Sequence, residues 1–148
     1  MISVQKEGLE KYSMQEMMIP SEKVAHVQGG NPMEHALLVL VKSGYSAVPV
    51  LDAEYKLKGI ISKTNIIENM LGVEQFELDC LSEMTVEEVM NTDIPYLKPE
   101  ATFSDGLHSV IDHPFVCVID EKGYFEGILT RRAILKRINQ HIHTNHES

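Results

Sequence analysis

The 148-residue sequence has little of what marks several common classes of protein. Its two cysteines, Cys80 and Cys117, lack the spacing of a metal site, and Cys117 lies inside an apolar run, as a buried reduced thiol would. No apolar stretch approaches the roughly 18 residues of a membrane span, and the N-terminus lacks the apolar core of a signal peptide. These absences predict a cytoplasmic protein without disulfides and without a membrane segment.

Positive charge is also scarce. Lys and Arg together number 13 against 22 Asp and Glu, which gives a formal net charge of −9 and argues against a general affinity for nucleic acid or anionic membranes. The sequence has no zinc motif, nucleophile elbow, glycine-rich phosphate loop or convincing pair of carboxylates. We therefore expect no catalytic activity, no metal site and no cofactor.

What the sequence does contain is an internal repeat. The stretch VPVLDAEYKLKGIISKTNII at 48–67 matches VCVIDEKGYFEGILTRRAIL at 116–135 at a constant offset. Upstream, Ser13 and Thr85 each begin a Ser/Thr-x-x-Glu capping box, which predicts a short helix that ends in Met. One copy of about 60 residues would bury too little surface to be stable alone. We therefore expect two copies packed against each other.

Each copy predicts a mixed α/β (α+β) unit of short strands and helices. In the first copy the predicted helices are 13–18, 32–42 with Asn31 as cap, and 64–71, and the predicted strands are 23–27, 47–51 and 58–61. The predicted domains are 13–71 and 85–142. The intervening linker, 72–84, is expected to pack against the body through Phe76, Leu78 and Leu81.

These residues resemble the tandem cystathionine-β-synthase (CBS) domain pair, or Bateman module. The resemblance rests on GYSAVPVLD at 44–52, GIIS at 59–62, GILT at 127–130 and the helix-ending Met18 and Met90. It implies a pseudo-two-fold arrangement in which each repeat is a small three-stranded sheet flanked by helices. It also implies a homodimer formed through helices.

Within that family, the chain is similar to the stand-alone CBS pairs of Gram-positive bacteria that bind cyclic di-AMP, the CbpB or DarB type. The matching stretches are EKVAHVQ at 22–28, DIP at 93–95 and FEGILTRR at 125–132. The resemblance implies that the ligand lies in the cleft between the repeats. The residues it implicates are Lys23, Ala25, Tyr45, Ser46, Ala47, Arg131 and Arg132. It further implies control of partner proteins, among them a Rel-type (p)ppGpp synthetase/hydrolase and pyruvate carboxylase.

Two other functions remain open at this stage. CBS pairs that bind AMP or ATP usually have an aspartate three residues after the Ser/Thr of this motif, to hold the ribose hydroxyls, and the corresponding residues here are Asn65 and Ala133. This departure argues against simple AMP, ADP or ATP sensing and leaves it as the alternative. A structural subunit of an enzyme or transporter is a third interpretation.

The two arginines after Thr130 support a phosphate-binding site on physical grounds as well. A helix N-terminus carries about half a positive charge, so cations in its first turn are disfavoured by roughly 0.3–1 kcal/mol unless something compensates. If Thr130 caps the helix, its hydroxyl and the free N–H groups form an anion site, and the guanidiniums of Arg131 and Arg132 suit phosphate oxygens. The simpler alternative is two solvated arginines on a surface helix.

The remaining candidate residues are expected to contact a purine ring or the second phosphate of the implied dinucleotide. Tyr45 could stack on a purine ring, although ordinary packing would also place an aromatic residue there. Ala25, Ser46 and Ala47 are small, so that a ligand could approach the backbone. Lys23 could add a cation, and its alternative is a plain surface lysine.

Overall fold

The computed structural model describes residues 8–71 and 78–147, which form a mixed α/β fold. In chain order the elements are α1 (Met14–Met17), β1 (Ile19–Pro20), a 3-10 turn (Ser21–Lys23), β2 (Val27–Gln28), α2 (Met33–Ser43), β3 (Ala47–Leu51), β4 (Leu57–Ser62), α3 (Lys63–Met70), α4 (Cys80–Glu83), α5 (Val86–Val89), β5 (Tyr96–Leu97), α6 (Phe103–Ser109), β6 (Phe115–Ile119), β7 (Phe125–Thr130) and α7 (Arg131–Glu147). None of the helices in these ranges is both long and apolar enough to cross a lipid bilayer.

The chain forms two compact units whose boundaries differ from those of the sequence repeats. The middle unit consists of residues 25–94, and the described part of the terminal unit consists of residues 8–24 and 95–147. Helix α1 at the start of the first repeat therefore belongs to the unit of the second repeat, and α5 belongs to the unit of the first. The predicted repeats, 13–71 and 85–142, and these compact units therefore divide the chain in different ways.

The middle unit contains a three-stranded sheet in the order β2-β3-β4, as predicted. Strands β2 and β3 are parallel, and β3 and β4 form an antiparallel hairpin. One face of α2 is buried on this sheet because Met33, Ala36 and Leu40 recur at helical spacing and are fully buried. Helix α5 adds Val86 and Val89 to the same core.

The terminal unit contains a four-stranded sheet, one strand more than the three predicted, in the order β1-β7-β6-β5. Its core combines residues from both ends of the chain: Met14 and Met17 of α1 pack with Phe103, Leu129 and Ile134. Glu10 accepts hydrogen bonds from the backbone N–H and the hydroxyl of Ser104 in the first turn of α6. The segment from Leu9 to Met17 is thus part of this unit.

A glycine in each hairpin permits this exchange of helices. A Cβ at Gly127 would collide with the carbonyl oxygen of Ile19 in β1, and a Cβ at Gly59 would lie 2.6 Å from the carbonyl oxygen of Asn91, just after α5. Ile60 and Asn91 form a pair of backbone hydrogen bonds of 2.9 and 2.8 Å. Only a residue without a Cβ allows the backbone of Ile19 or Asn91 to approach the hairpin this closely.

Some local predictions were wrong. The strand predicted at 23–27 is the 3-10 turn Ser21–Lys23 followed by the two-residue strand Val27–Gln28. Asn31 does not cap α2: the cap position is Pro32, and the Asn31 side chain accepts from the N–H of Gln28 at 2.8 Å.

The predicted linker is only partly described. Leu81 packs against the core of the middle unit, as expected, whereas Leu78 is 65% exposed. Phe76 lies outside the described residues.

Candidate functional site

The first candidate region lies where β7 ends and α7 begins. The Thr130 hydroxyl accepts a hydrogen bond from the N–H of Ala133 at 3.0 Å, which confirms that Thr130 caps this helix. The N–H of Arg131 donates to the carbonyl of Pro114 at 2.8 Å and so fastens the start of α7 to the loop before β6. The cap and the two arginines therefore sit on a fixed backbone.

The Arg131 guanidinium is bonded to the end of another helix. Its Nε donates to the carbonyl of Val110 at 2.8 Å, and one of its terminal nitrogens donates to the carbonyl of Ile111 at 3.4 Å. Val110 is the C-cap of α6, where unsatisfied carbonyls carry partial negative charge. The protein itself therefore compensates one of the two cations in the first turn of α7.

Arg132 differs from its neighbour. Its side chain is exposed, and within residues 8–71 and 78–147 it makes no hydrogen bond or ion pair. It borders a surface groove of about 520 Å³. The other residues lining that groove are Arg131, Leu135, Lys136 and Asn139. A basic face thus exists on a chain whose formal net charge is −9.

Lys23 lies apart from the arginines within the same unit. Strand β1 runs antiparallel to β7, with Ile19 opposite Ile128 and Pro20 opposite Gly127. The chain after Pro20 therefore runs toward the beginning of β7, and the 3-10 turn that carries Lys23 packs on this strand. Thr130 ends β7, so Lys23 and Arg132 lie toward different ends of it.

The second candidate region belongs to the middle unit and occupies the equivalent place in its hairpin. Gly44, with φ of 77°, ends α2 in the left-handed conformation and directs the chain into Tyr45 and Ser46. The Ser46 carbonyl accepts from the N–H of Lys63 at 3.0 Å, and Ala47 pairs with Ser62 across the hairpin. Tyr45 is 47% exposed, which leaves a ring surface free to contact a ligand.

Ala25 joins this second region. It precedes the short strand β2, which pairs with β3 in parallel, Val27 opposite Val50. Because parallel strands begin at the same edge of a sheet, Ala25 lies at the edge where Ala47 begins β3. The structure therefore brings Ala25, Ser46 and Ala47 to one edge, where the side chains are too small to block the backbone.

Asn65 and Ala133 stand at the two positions where the family resemblance implies an aspartate in CBS pairs that bind mononucleotides. The Asn65 side chain is engaged in a helix cap, and Ala133 has no polar side chain. Asn65 completes a capping box: its side-chain oxygen accepts from the N–H of Ser62, and its N–H donates to the Ser62 hydroxyl, both at 3.0 Å. Ala133 offers only its backbone N–H, which is bonded to Thr130.

Sequence reasoning missed the partner of Arg131. No sequence signal identifies the carbonyls of Val110 and Ile111, because they become acceptors only where α6 happens to end. The constant repeat offset places Lys63 of the first repeat at the position of Arg131, where it offers a weaker version of the same cation.

The sequence model of the CBS domain family matches residues 15–72 and 86–140, which together are more than half of the chain. The chain belongs to the CBS domain family. This tandem CBS protein is 49% identical over 142 residues to cyclic di-AMP receptor B of Bacillus subtilis (strain 168). The aligned region covers 96% of this chain and 97% of the relative.

Solved structures agree with this assignment. A CBS domain-containing protein of unknown function from Bacillus anthracis is 58% identical, with a TM-score of 0.85, covering 91% of this chain and 98% of that one. The CbpB protein of Listeria monocytogenes, solved in complex with c-di-AMP, is 50% identical, with a TM-score of 0.83, covering 88% and 98%. The tandem CBS protein described here thus falls among relatives that include cyclic di-AMP receptors.

Proposed function

We propose that this protein is a non-enzymatic receptor for cyclic di-AMP that binds the dinucleotide with residues of both CBS repeats. The ligand-binding residues in this proposal are Lys23, Ala25, Tyr45, Ser46, Ala47, Thr130, Arg131 and Arg132. The proposal is supported by relatives at 49% and 50% identity, one named as a cyclic di-AMP receptor and one solved with c-di-AMP.

The observation that carries the proposal is the exposed Arg132 beside the Thr130 cap. The dipole of a long helix favours an anion at this end, although the N–H groups of Arg131 and Ala133 are already bonded within the protein. The Arg132 guanidinium, without a partner among the described residues, adds two parallel donors for phosphate oxygens. A phosphate placed there would turn an unfavourable cation position into a favourable one. Arg131 already uses two of its five N–H donors on the α6 carbonyls, whereas all the donors of Arg132 remain, so we expect Arg132 to supply the larger share.

Isothermal titration calorimetry with cyclic di-AMP, AMP, ADP and ATP tests the proposal. We expect cyclic di-AMP to bind tightest, because neither repeat offers an aspartate for the ribose of a mononucleotide. Arg132→Met should weaken binding about tenfold to a hundredfold, the worth of a charge-assisted hydrogen bond. Lys122→Met, which removes an exposed cation from the hairpin turn of the same unit, is the matched control and should bind like the wild type.

Two results would contradict the proposal. If a mononucleotide binds more tightly than cyclic di-AMP, the protein is a sensor of that mononucleotide instead. If Arg132→Met retains wild-type affinity for cyclic di-AMP, the assignment of this site is wrong.

The downstream part of the proposal is that ligand binding controls contacts with partner proteins, such as a Rel-type (p)ppGpp synthetase/hydrolase or pyruvate carboxylase. A dianionic ligand changes the population of a docking surface only through its differential affinity for two states of the receptor. Pull-downs with each candidate partner, with and without cyclic di-AMP, should show capture that the ligand weakens. Stable stoichiometric capture indifferent to nucleotide would instead favour a structural subunit.

We further propose that the protein is a homodimer. Both units expose large apolar side chains on helices, such as Leu38 and Val41 of α2 and Leu135 of α7. Sedimentation at micromolar concentration should give twice the 16.7 kDa chain mass.

A further inference from the structure

One turn of the middle unit holds a tyrosine in a conformation that suits glycine. Tyr55, in the turn between β3 and β4, has a φ of 71°, and no other non-glycine residue in the described ranges has a positive φ. Its N–H donates to the carbonyl of Asp52, whose carboxylate accepts from the N–H groups of Glu54 and Lys56. The turn is therefore well formed, and the tyrosine bears the left-handed conformation as a cost.

The second repeat builds the same turn without this cost. Asp120 accepts from the N–H groups of Lys122 and Tyr124, and Gly123 donates to the Asp120 carbonyl with a φ of 92°. Gly123 is the repeat counterpart of Tyr55. The turn itself thus needs no aromatic side chain, and the tyrosine must be explained by what its ring contacts.

The ring of Tyr55 contacts His26. The two ring centroids are 5.2 Å apart and the planes meet at 78°, which is the edge-to-face geometry that aromatic pairs favour. His26 is half-buried and lies between Ala25 and the first residue of β2. The contact therefore fastens the turn at one end of the hairpin to the segment that carries Ala25.

The second repeat has no equivalent of this pair in the part of the chain that the structure describes. Val27 pairs with Val50, and Leu97 pairs with Val118, the repeat counterpart of Val50, so the counterpart of His26 is Tyr96. The Tyr96 ring is approached by the ammonium of Lys98 at 5.4 Å, and the residue at the turn position of Tyr55 is Gly123, which has no ring. The aromatic pair thus distinguishes the repeat that contains Ala25, Tyr45, Ser46 and Ala47.

We infer that Tyr55 and His26 are positioning residues for the ligand: the ring pair fixes the backbone of Ala25 for contact with a purine of cyclic di-AMP. This inference rests on the proposed function, since it concerns the same binding region. Neither ring needs to touch the ligand. The strained turn is retained because it holds the adjacent segment in one conformation.

Tyr55→Gly is the decisive variant because it gives the turn the residue of the second repeat and removes the ring. We expect its affinity for cyclic di-AMP to fall about two- to tenfold, the worth of an aromatic pair, while its melting temperature is unchanged or raised. Tyr55→Phe should bind like the wild type because it keeps the ring. Ala53→Gly, which adds a glycine to the same turn and keeps both rings, controls for turn flexibility.

A double-mutant cycle separates positioning from a general effect on stability. His26→Ala should also weaken binding, and the double variant should bind no more weakly than the weaker of the two single variants, because either change breaks the same contact. Wild-type affinity in Tyr55→Gly, or additive losses in the double variant, would overturn the positioning role and leave the proposed function intact. Absence of cyclic di-AMP binding in the wild type would overturn both.

Discussion

Arg131 and Arg132 are neighbours in sequence, but within the described residues only the side chain of Arg131 has hydrogen-bonding partners. This difference follows from position. Arg131 bonds to the C-terminal carbonyls of α6, which attract a cation, whereas the Arg132 side chain makes no hydrogen bond to them. Of these two adjacent arginines, only Arg131 also holds the start of α7 against the end of α6.

Arg131→Met should destabilise the fold where Arg132→Met does not. Loss of the bonds to Val110 and Ile111 should lower the free energy of unfolding by about 1–2 kcal/mol, since an exposed charged bond contributes at the lower end of its range. Urea denaturation at pH 7 measures this, with Arg132→Met as the matched control. Equal midpoints for the two variants would show that the carbonyl contacts of Arg131 contribute nothing to stability.

Cys117 gives a prediction about pH. Burial raises the pKa of its thiol from an ordinary value of 9.0 to about 12. Between those two pH values the folded state retains a thiol proton that the unfolded state has lost. The contribution of this thiol to the free energy of unfolding is therefore fully present below pH 9 and is lost as the pH rises towards 12. From pH 8 to pH 10 the wild type should lose about 1 kcal/mol more than Cys117→Val, measured by urea denaturation at each pH. Parallel pH curves for the two proteins would contradict this.

At the level of elements, prediction from sequence succeeded where a strand or helix is long enough to show a pattern. The strand predicted at 47–51 matches β3, and the predicted strand 58–61 lies within β4. It failed for β1 and β2, which have two residues each and owe their existence to the neighbour they pair with. Ile19–Pro20 becomes a strand only because Gly127 leaves room for it.

The candidate site was predictable to a similar extent. The Thr130 cap follows from local sequence, and the structure confirms it. The other candidates came from family resemblance, and they stay predictions. The Arg131 contacts and the contact between Tyr55 and His26 link residues far apart in the sequence, so neither periodicity nor spacing could indicate them.

The two hairpin glycines should tolerate no side chain. Gly127→Ala would drive a methyl group into the carbonyl of Ile19, and Gly59→Ala would do the same at Asn91, so each should lower the free energy of unfolding by about 1–3 kcal/mol. Gly30→Ala is the control, since a Cβ there meets nothing within 4 Å. Thermal unfolding measures all three, and a Gly127→Ala protein as stable as Gly30→Ala would refute the close approach of β1.

At the scale of the whole molecule, the sequence repeat and the compact unit are different objects. Each repeat begins with a short helix whose apolar side chains are buried in the unit of the other repeat: Met14 and Met17 in the terminal unit, Val86 and Val89 in the middle unit. The exchange makes the stability of each unit depend on both halves of the chain.

An experiment on fragments of the chain tests whether the compact unit or the sequence repeat folds on its own. The fragment 25–94 contains every described element of the middle unit, including α5, whereas the fragment 13–71 contains one sequence repeat but lacks the helix that completes its core. Domains this small are marginal, so the loss of buried Val86 and Val89 should decide the outcome. Circular dichroism during urea titration should show a cooperative transition for 25–94 and a gradual one for 13–71. A fragment 13–71 that unfolds cooperatively at higher urea than 25–94 would mean that the repeat, and not the exchanged unit, is what folds.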